Sequence, residues 1–325
     1  MHKTASTYIQ HRLKRNQPFL RQQGLFYPKR RRDHQRLVKA LRQGNLSPWD
    51  RLLARAQRKG CRPLISAEVL SLVLAQQSKA MRGSVLSELL AFLDQRGIEL
   101  ELVAFVRDQP AYLNSRYTQL IKRFFFAISF ERYITRTMRS GGESACDFET
   151  LFGEALCCDR LRCTILPFRS GEGDPCERLL QAVGVSSCAG MKPLDQRVNA
   201  QPGWQAVWIA RRIARKLSLQ HPKAWHSTAC KTRIRKALDH IAIQQGWLAQ
   251  PFQGLNDQLL DRLEDRYGAS NERFAQRVWG CSWRDVFPRP SPQPSPRAPR
   301  SRAERRELVA LAERLLAEAV GSEGS

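Results

Sequence analysis

The chain has 325 residues and a mass of 37.3 kDa, with 54 Lys plus Arg against 30 Asp plus Glu, a net charge of +24 and a pI near 10.4. That length accommodates one large α/β domain or two modest ones, and a 42 % hydrophobic content supplies a core and excludes wholesale disorder. The charge points to an anionic partner or substrate, while the absence of a long apolar run or an apolar signal core argues against a membrane span or a secretory leader.

The nine cysteines form an odd set without a C-x-x-C pair, which predicts reduced thiols and a cytoplasmic location. The basic excess is uneven. Residues 1–60 hold sixteen Lys or Arg and only Asp33 and Asp50, so +14 of the +24 lies there.

In chain order, Thr4–Arg21 reads as a polar-basic helix with Ile9, Leu13 and Leu20 on one side, ending before Gly24. Helical periodicity recurs over Asp33–Arg58 and Glu68–Gln95. Three extended segments interrupt: Arg62–Ser66, Ile98–Val106 and Leu161–Phe168. The second becomes a continuous LVAFV, as expected of a strand covered on both faces. Strands separated by long helical stretches predict parallel βαβ connections. Trp204–Asp285 reads as helix-rich without strands. Pro288–Ser301, with Pro at every second or third position, reads as an extended linker, and Arg302–Ala319, with Leu308, Leu311, Leu315 and Leu316 at helical spacing, as an appended amphipathic helix on that tether, or more plainly as a tail helix with no fixed partner.

The first residues, His2-Lys3-Thr4-Ala5-Ser6-Thr7, run directly into helical sequence. Lys and small hydroxyls entering a helix suit a phosphate or sulfate: N–H groups, the positive dipole end and a cation converge there. The same residues also fit an unstructured start with Ser6 or Thr7 as a helix cap. Arg107 follows the buried strand, and Ser115 lies eight residues on. Ligands of open parallel sheets bind outside the carboxyl ends of strands, which would place Arg107 on the edge shared with the loop; its planar fork matches a phosphate. Without a ligand, Arg107 is a strand-end Arg beside Asp108, and Ser115 an ordinary helix residue.

These segments resemble a known family. HKTASTYIQ is similar to the 5′-phosphosulfate loop of the bacterial sulfotransferase-like family, RNQPFLRQQGLFYPKR to its Gly-x-x-Tyr-Pro turn, LISAEVL to its Ser-x-Glu segment, and VRDQPAYLNSRYTQLIKR to its 3′-phosphate segment. RCTILPFRSGEGDPCERLLQAVGV and YGASNERFAQRVWG resemble its later regions, so the similarity runs in order over about residues 2–287.

The resemblance implies a P-loop NTPase-like sulfotransferase fold, a three-layer parallel sheet with flanking helices and a helix-rich carboxyl-terminal part. That domain spans 1–287, followed by the linker 288–301 and the tail 302–325. It implies 3′-phosphoadenosine 5′-phosphosulfate (PAPS) as donor, with no metal, and a hydroxyl acceptor such as a carbohydrate. Lys3, Thr4, Ser6 and Thr7 would surround the phosphosulfate, Arg107 and Ser115 the 3′-phosphate, and Arg197 and Asn199 the nucleotide.

Lys3 and Glu68 would be catalytic. Transfer leaves negative charge on the departing phosphate, which Lys3 and the loop donors stabilise, while Glu68 takes the acceptor proton. A carboxylate is a weak base in water, so this role calls for desolvation or coupling to Lys3; otherwise Glu68 is a first-turn helix residue facing the dipole.

Two departures stand out. Ala5 replaces the family's Gly, which strains the loop if that position needs φ > 0. The family's first strand is also expected immediately upstream of His2, so either translation starts before Met1 or the chain is a degenerate, inactive copy.

Other patterns carry less. His221, His226 and Cys230 lack a fourth ligand and read as helix-surface residues rather than zinc ligands. Cys157, Cys158 and Cys163 read as apolar fillers, and Phe124–Tyr133 as core or groove wall. A nucleic-acid binder, using the basic stripe interspersed with Tyr8, Phe19, Phe26, Tyr27 and Trp49, is the main alternative, though no helix-turn-helix, zinc-finger or RNA-recognition signature accompanies it. A P-loop kinase or NTPase ranks below both, because G-x-x-x-x-G-K-[ST] is lacking.

Overall fold

The computed structural model describes residues 4–28, 34–77, 83–139, 145–194, 201–296 and 298–321. Turn chemistry divides the long helical stretches. Pro18 lacks an N–H and fixes φ, so the first stretch breaks at Asn16 into α1 (Ser6–Arg15) and α2 (Gln17–Gln22). After Gly24, which turns at φ +69°, comes β1 (Leu25–Phe26). The second stretch divides into α3 (Gln35–Arg42) and α4 (Ser47–Gln57) around Gly44, also at φ +69°, and Pro48. Then follow β2 (Arg62–Pro63), α5 (Leu70–Leu74), α6 (Val85–Asp94) and β3 (Leu100–Val106).

Next come α7 (Gln109–Lys122), α8 (Phe130–Arg139), α9 (Phe148–Leu156), β4 (Leu161–Pro167) and α10 (Pro175–Ala182). The helical remainder comprises α11 (Trp204–Gln220), α12 (Pro222–His226), α13 (Thr228–Gln244), α14 (Asp257–Trp279), α15 (Trp283–Val286) and α16 (Arg302–Gly321). The molecule is thus a helix-rich α/β protein.

Parallel pairing is present, as the alternation of strands and helices predicts, but the described strands form two separate pairs. In one, Leu25 stands opposite Arg62 and Phe26 opposite Pro63. In the other, β3 and β4 run in register from Leu100 opposite Leu161 to Val106 opposite Pro167. The expected Arg62–Ser66 strand is shortened to its first two residues. The N–H of Phe168 donates to the Val106 carbonyl at 2.7 Å, so the even positions of β3 bond to β4. The backbone groups of Glu101, Val103 and Phe105 face the opposite edge, which no described strand pairs.

The described residues divide into two units that cross the expected 1–287 domain. The first comprises the chain to Asp108, Gly142–Val198 and Tyr267–Pro288. Here β3 is apolar on both faces, as LVAFV predicts. Val103 and Phe105 pack with Ile9 and Leu13 of α1 and Leu180 of α10. Leu100 and Leu102 meet Leu89 and Leu93 of α6, and Ala104 and Val106 meet Phe152, Phe274 and Trp283.

The second unit comprises Gln109–Gly141, Asn199–Arg266 and Arg289–Ser325. It corrects the expectation of an unpartnered tail. Helix α16 packs on α11 and α13 and buries Leu308, Ala312, Leu315, Leu316 and Ala319. Glu313 pairs with Lys216 at 2.5 Å and Arg212 at 3.3 Å, and Arg233 donates to the Ala319 carbonyl at 3.0 Å. The proline-rich segment is also anchored: the Ser295 N–H donates to the Gln253 carbonyl at 2.7 Å. Periodicity reveals the apolar stripe of such a helix but not the surface that receives it.

Cys176, on the first turn of α10, is fully buried in the first unit. Burial, reinforced by the charge of Asp174, pushes its thiol up to about 12. An unfolded thiol ionises near pH 8.5, about the ordinary value. The contribution of Cys176 to stability is therefore complete below that pH and is lost as pH rises toward about 12. Unfolding free energy should decline over that range in denaturant titrations, and less steeply in Cys176→Ala.

Candidate functional site around Ser6, Thr7 and Glu68

The entry to α1 meets a segment more than sixty residues away in sequence. Ala5 caps the helix in the left-handed region, at φ 56° and ψ 18°. This is the conformation that the loop comparison anticipates for a Gly, adopted here by a residue with a Cβ. Thr4 beside it is 2 % exposed. Ala5 has no capping side chain, but its carbonyl accepts the Ile9 N–H at 2.9 Å. Replacing Ala5 by Gly removes the left-handed penalty, so Ala5→Gly should raise stability by about 1 kcal/mol; thermal or urea unfolding reads the gain.

Past Ala5, the Ser6 hydroxyl donates to Glu68 Oε1 at 2.6 Å, and that of Thr7 donates to the same oxygen at 3.3 Å. A carboxylate thus stands at the positive end of α1, where N–H groups and dipole favour an anion.

Backbone pairing carries Glu68 there. The Arg62 N–H donates to the Gly24 carbonyl at 2.8 Å and the Leu64 N–H to the Phe26 carbonyl at 3.0 Å, which aligns the chain that continues into Ser66. His34 fixes Ser66 from the other side. Its backbone N–H donates to the Ser66 carbonyl at 3.1 Å, and its Nδ1 accepts the Ser66 N–H at 2.9 Å. The ring also meets Tyr27 edge-on with centroids 5.0 Å apart, and Gln10 on α1 reaches the Ser66 hydroxyl at 3.4 Å. Nothing in the spacing around His34 marks this role.

Helix α1 is held by ionic contacts that the basic stripe conceals. Arg12 is 6 % exposed. It pairs with Asp174, and it donates to Glu177 at 2.6 Å and to the Tyr8 hydroxyl at 3.1 Å. Tyr8 in turn donates to Asp174, which also caps α10 by accepting the N–H groups of Cys176 at 2.8 Å and Glu177 at 3.0 Å. Burial opposes the Arg12 charge, but hydrogen bonds to Glu177 and Tyr8 and the charge of Asp174 outweigh it and raise its pKa. Asn16, at the end of α1, clasps Lys192, accepting its N–H at 2.7 Å and donating to its carbonyl at 3.0 Å.

Arg107 occupies the predicted position, directly after β3. It is largely withdrawn from solvent, and its guanidinium carbon lies 5.8 Å from the Phe168 ring centroid. Burial lowers its pKa, and the charge of Asp108 opposes that shift. Ser115 lies on α7, in the other unit, where its carbonyl accepts the Thr118 hydroxyl at 3.0 Å. Lys3, Arg197 and Asn199 lie outside the described residues. The structure therefore brings Ser6, Thr7 and Glu68 together and places Arg107 at the carboxyl end of β3 in the same unit.

Among the described residues, no group of three or more His, Cys, Asp or Glu is placed to hold a metal ion, and no helix is long and apolar enough to cross a membrane. No family model, no curated protein and no solved structure matches the chain.

Proposed function

We propose that the first unit carries out sulfuryl transfer from PAPS to a hydroxyl acceptor such as a carbohydrate, on a P-loop-like, three-layer α/β framework. The observation that carries this reading is the meeting of Ser6, Thr7 and Glu68 at the amino-terminal end of α1. Hydroxyl donors, an anion-attracting helix end and a carboxylate able to accept a proton share one place. Arg107, at the carboxyl end of β3, supplies the fork for the 3′-phosphate.

In this reaction the acceptor oxygen attacks sulfur in line as the bond from sulfur to the 5′-phosphate oxygen breaks. The acceptor proton passes to Glu68. Charge grows on the departing phosphate, where Lys3, Thr4 and the first N–H groups of α1 stabilise it. The hydroxyls of Ser6 and Thr7 rotate on short side chains, so they can exchange the carboxylate for donor oxygens and release Glu68 toward the acceptor.

Incubation with donor labelled in its sulfuryl group, against a panel of hydroxyl compounds, tests the reaction. Label is expected to move to an acceptor, and Glu68→Gln to slow transfer by about 10²–10⁴-fold while donor binding persists. Transfer at an unchanged rate in Glu68→Gln would remove Glu68 from the chemistry.

A further inference from the structure

We infer that α8, in the second unit, lines a binding track for the phosphodiester backbone of single-stranded nucleic acid. This does not rest on the sulfuryl-transfer reading, which concerns the first unit. An open cleft of about 680 Å³ is lined by Ser129, Glu131, Arg132, Thr135, Arg136 and Arg139. Arg132, Arg136 and Arg139 are exposed, and their spacing sets them on one helix face. At 1.5 Å per residue they extend over about 10 Å. Arg262 from α14 adds a fourth guanidinium, donating to the Thr135 hydroxyl at 3.2 Å.

Like charges one turn apart repel and weaken a helix. Neither Arg132 nor Arg139, at the two ends of the row, forms an ion pair with a described residue, so an external anion there would offset part of that repulsion. Arginine forks match phosphate oxygens in pairs, and the hydroxyls of Ser129 and Thr135 provide further donors. A single small anion would need one fork; a row of them suits a chain of charges. The lining comes from α8 and the residue before it and opens widely to solvent, which gives an extended strand room to lie along the helix. Phe125, in the loop before α8, is 58 % exposed and offers a ring on which a base can stack.

The test measures fluorescence anisotropy of labelled uridine and thymidine oligonucleotides of about twelve nucleotides, bound to the full chain between about 50 and 200 mM NaCl. The logarithm of the affinity should fall against that of salt with a slope of about −2 to −3, three or four phosphates at about 0.7 each. The double substitution Arg132→Glu and Arg139→Glu should weaken binding at low salt by about tenfold or more and flatten the slope by about 1.4. Its thermal midpoint and its response to 3′,5′-adenosine bisphosphate should remain those of the parent. If the Glu pair fails to fold, Arg132→Gln with Arg139→Gln gives the same comparison. Unchanged affinity in the folded variant would overturn the proposal and assign binding to the basic amino-terminal segment. Tighter, equally Arg132-dependent binding of a sulfated polysaccharide would overturn it in favour of a glycan, and no binding of either oligonucleotide would overturn it outright.

Discussion

Replacing Arg12 with Ala is expected to lower the unfolding free energy by about 3–5 kcal/mol, the cost of removing one partner from a buried ionic group. The side chain of Arg12 is 7 % exposed and those of Asp174 and Glu177 are 22 % and 38 % exposed, so solvent relieves part of the loss and the lower end applies. The damage comes mainly from the carboxylates left behind. Asp174 still caps α10, but it loses the guanidinium that balances it. Combining Arg12→Met with Asp174→Asn and Glu177→Gln, which removes the charges on both sides, should therefore restore much of the stability. Urea unfolding of the three proteins separates these outcomes; a cost below about 1 kcal/mol for Arg12→Ala would mean that the group acts as an exposed pair. Arg12 joins α1 to α10 and thereby steadies the helix whose first turn meets Glu68, so the substitution should also weaken any ligand held there.

Arg12 also shows where sequence reasoning reaches its limit. Among sixteen basic residues in the first sixty, it reads as one more solvated charge, because its acidic partners lie more than 160 positions away. Local patterns fared better where the cause is local. The continuous LVAFV run predicts a strand covered on both faces, and helices do pack on both faces of β3. Substitution of Ala for Gly at position 5 points to a left-handed residue, and Ala5 adopts that conformation. The resemblance pointed separately to Ser6, Thr7 and Glu68, which the structure joins by hydrogen bonds.

Other features depend on tertiary context. The groove that receives α16 is formed by α11 and α13, whose own periodicity says nothing of a third helix. The clamp of His34 on Ser66 arises from parallel pairing of two-residue strands, too short to register as alternation. The two-unit division assembles segments distant in sequence, which no local pattern along the chain announces.

The donor site is the central claim, and the effect of 3′,5′-adenosine bisphosphate on thermal unfolding of the full chain tests it most directly. A ligand that binds only the folded state stabilises it by about 2.7 kcal/mol at one hundred times its dissociation constant, a rise of several degrees for a protein of this size. The parent chain should show that rise. It should vanish in Lys3→Ala and in Arg107→Ala, the two cations proposed for the 5′ and 3′ sides of the donor; adenosine without phosphates should have no effect on any of them. A midpoint unmoved in the parent chain at saturating nucleotide, or a rise that persists in Arg107→Ala, would contradict a phosphosulfate donor site between the first turn of α1 and the end of β3.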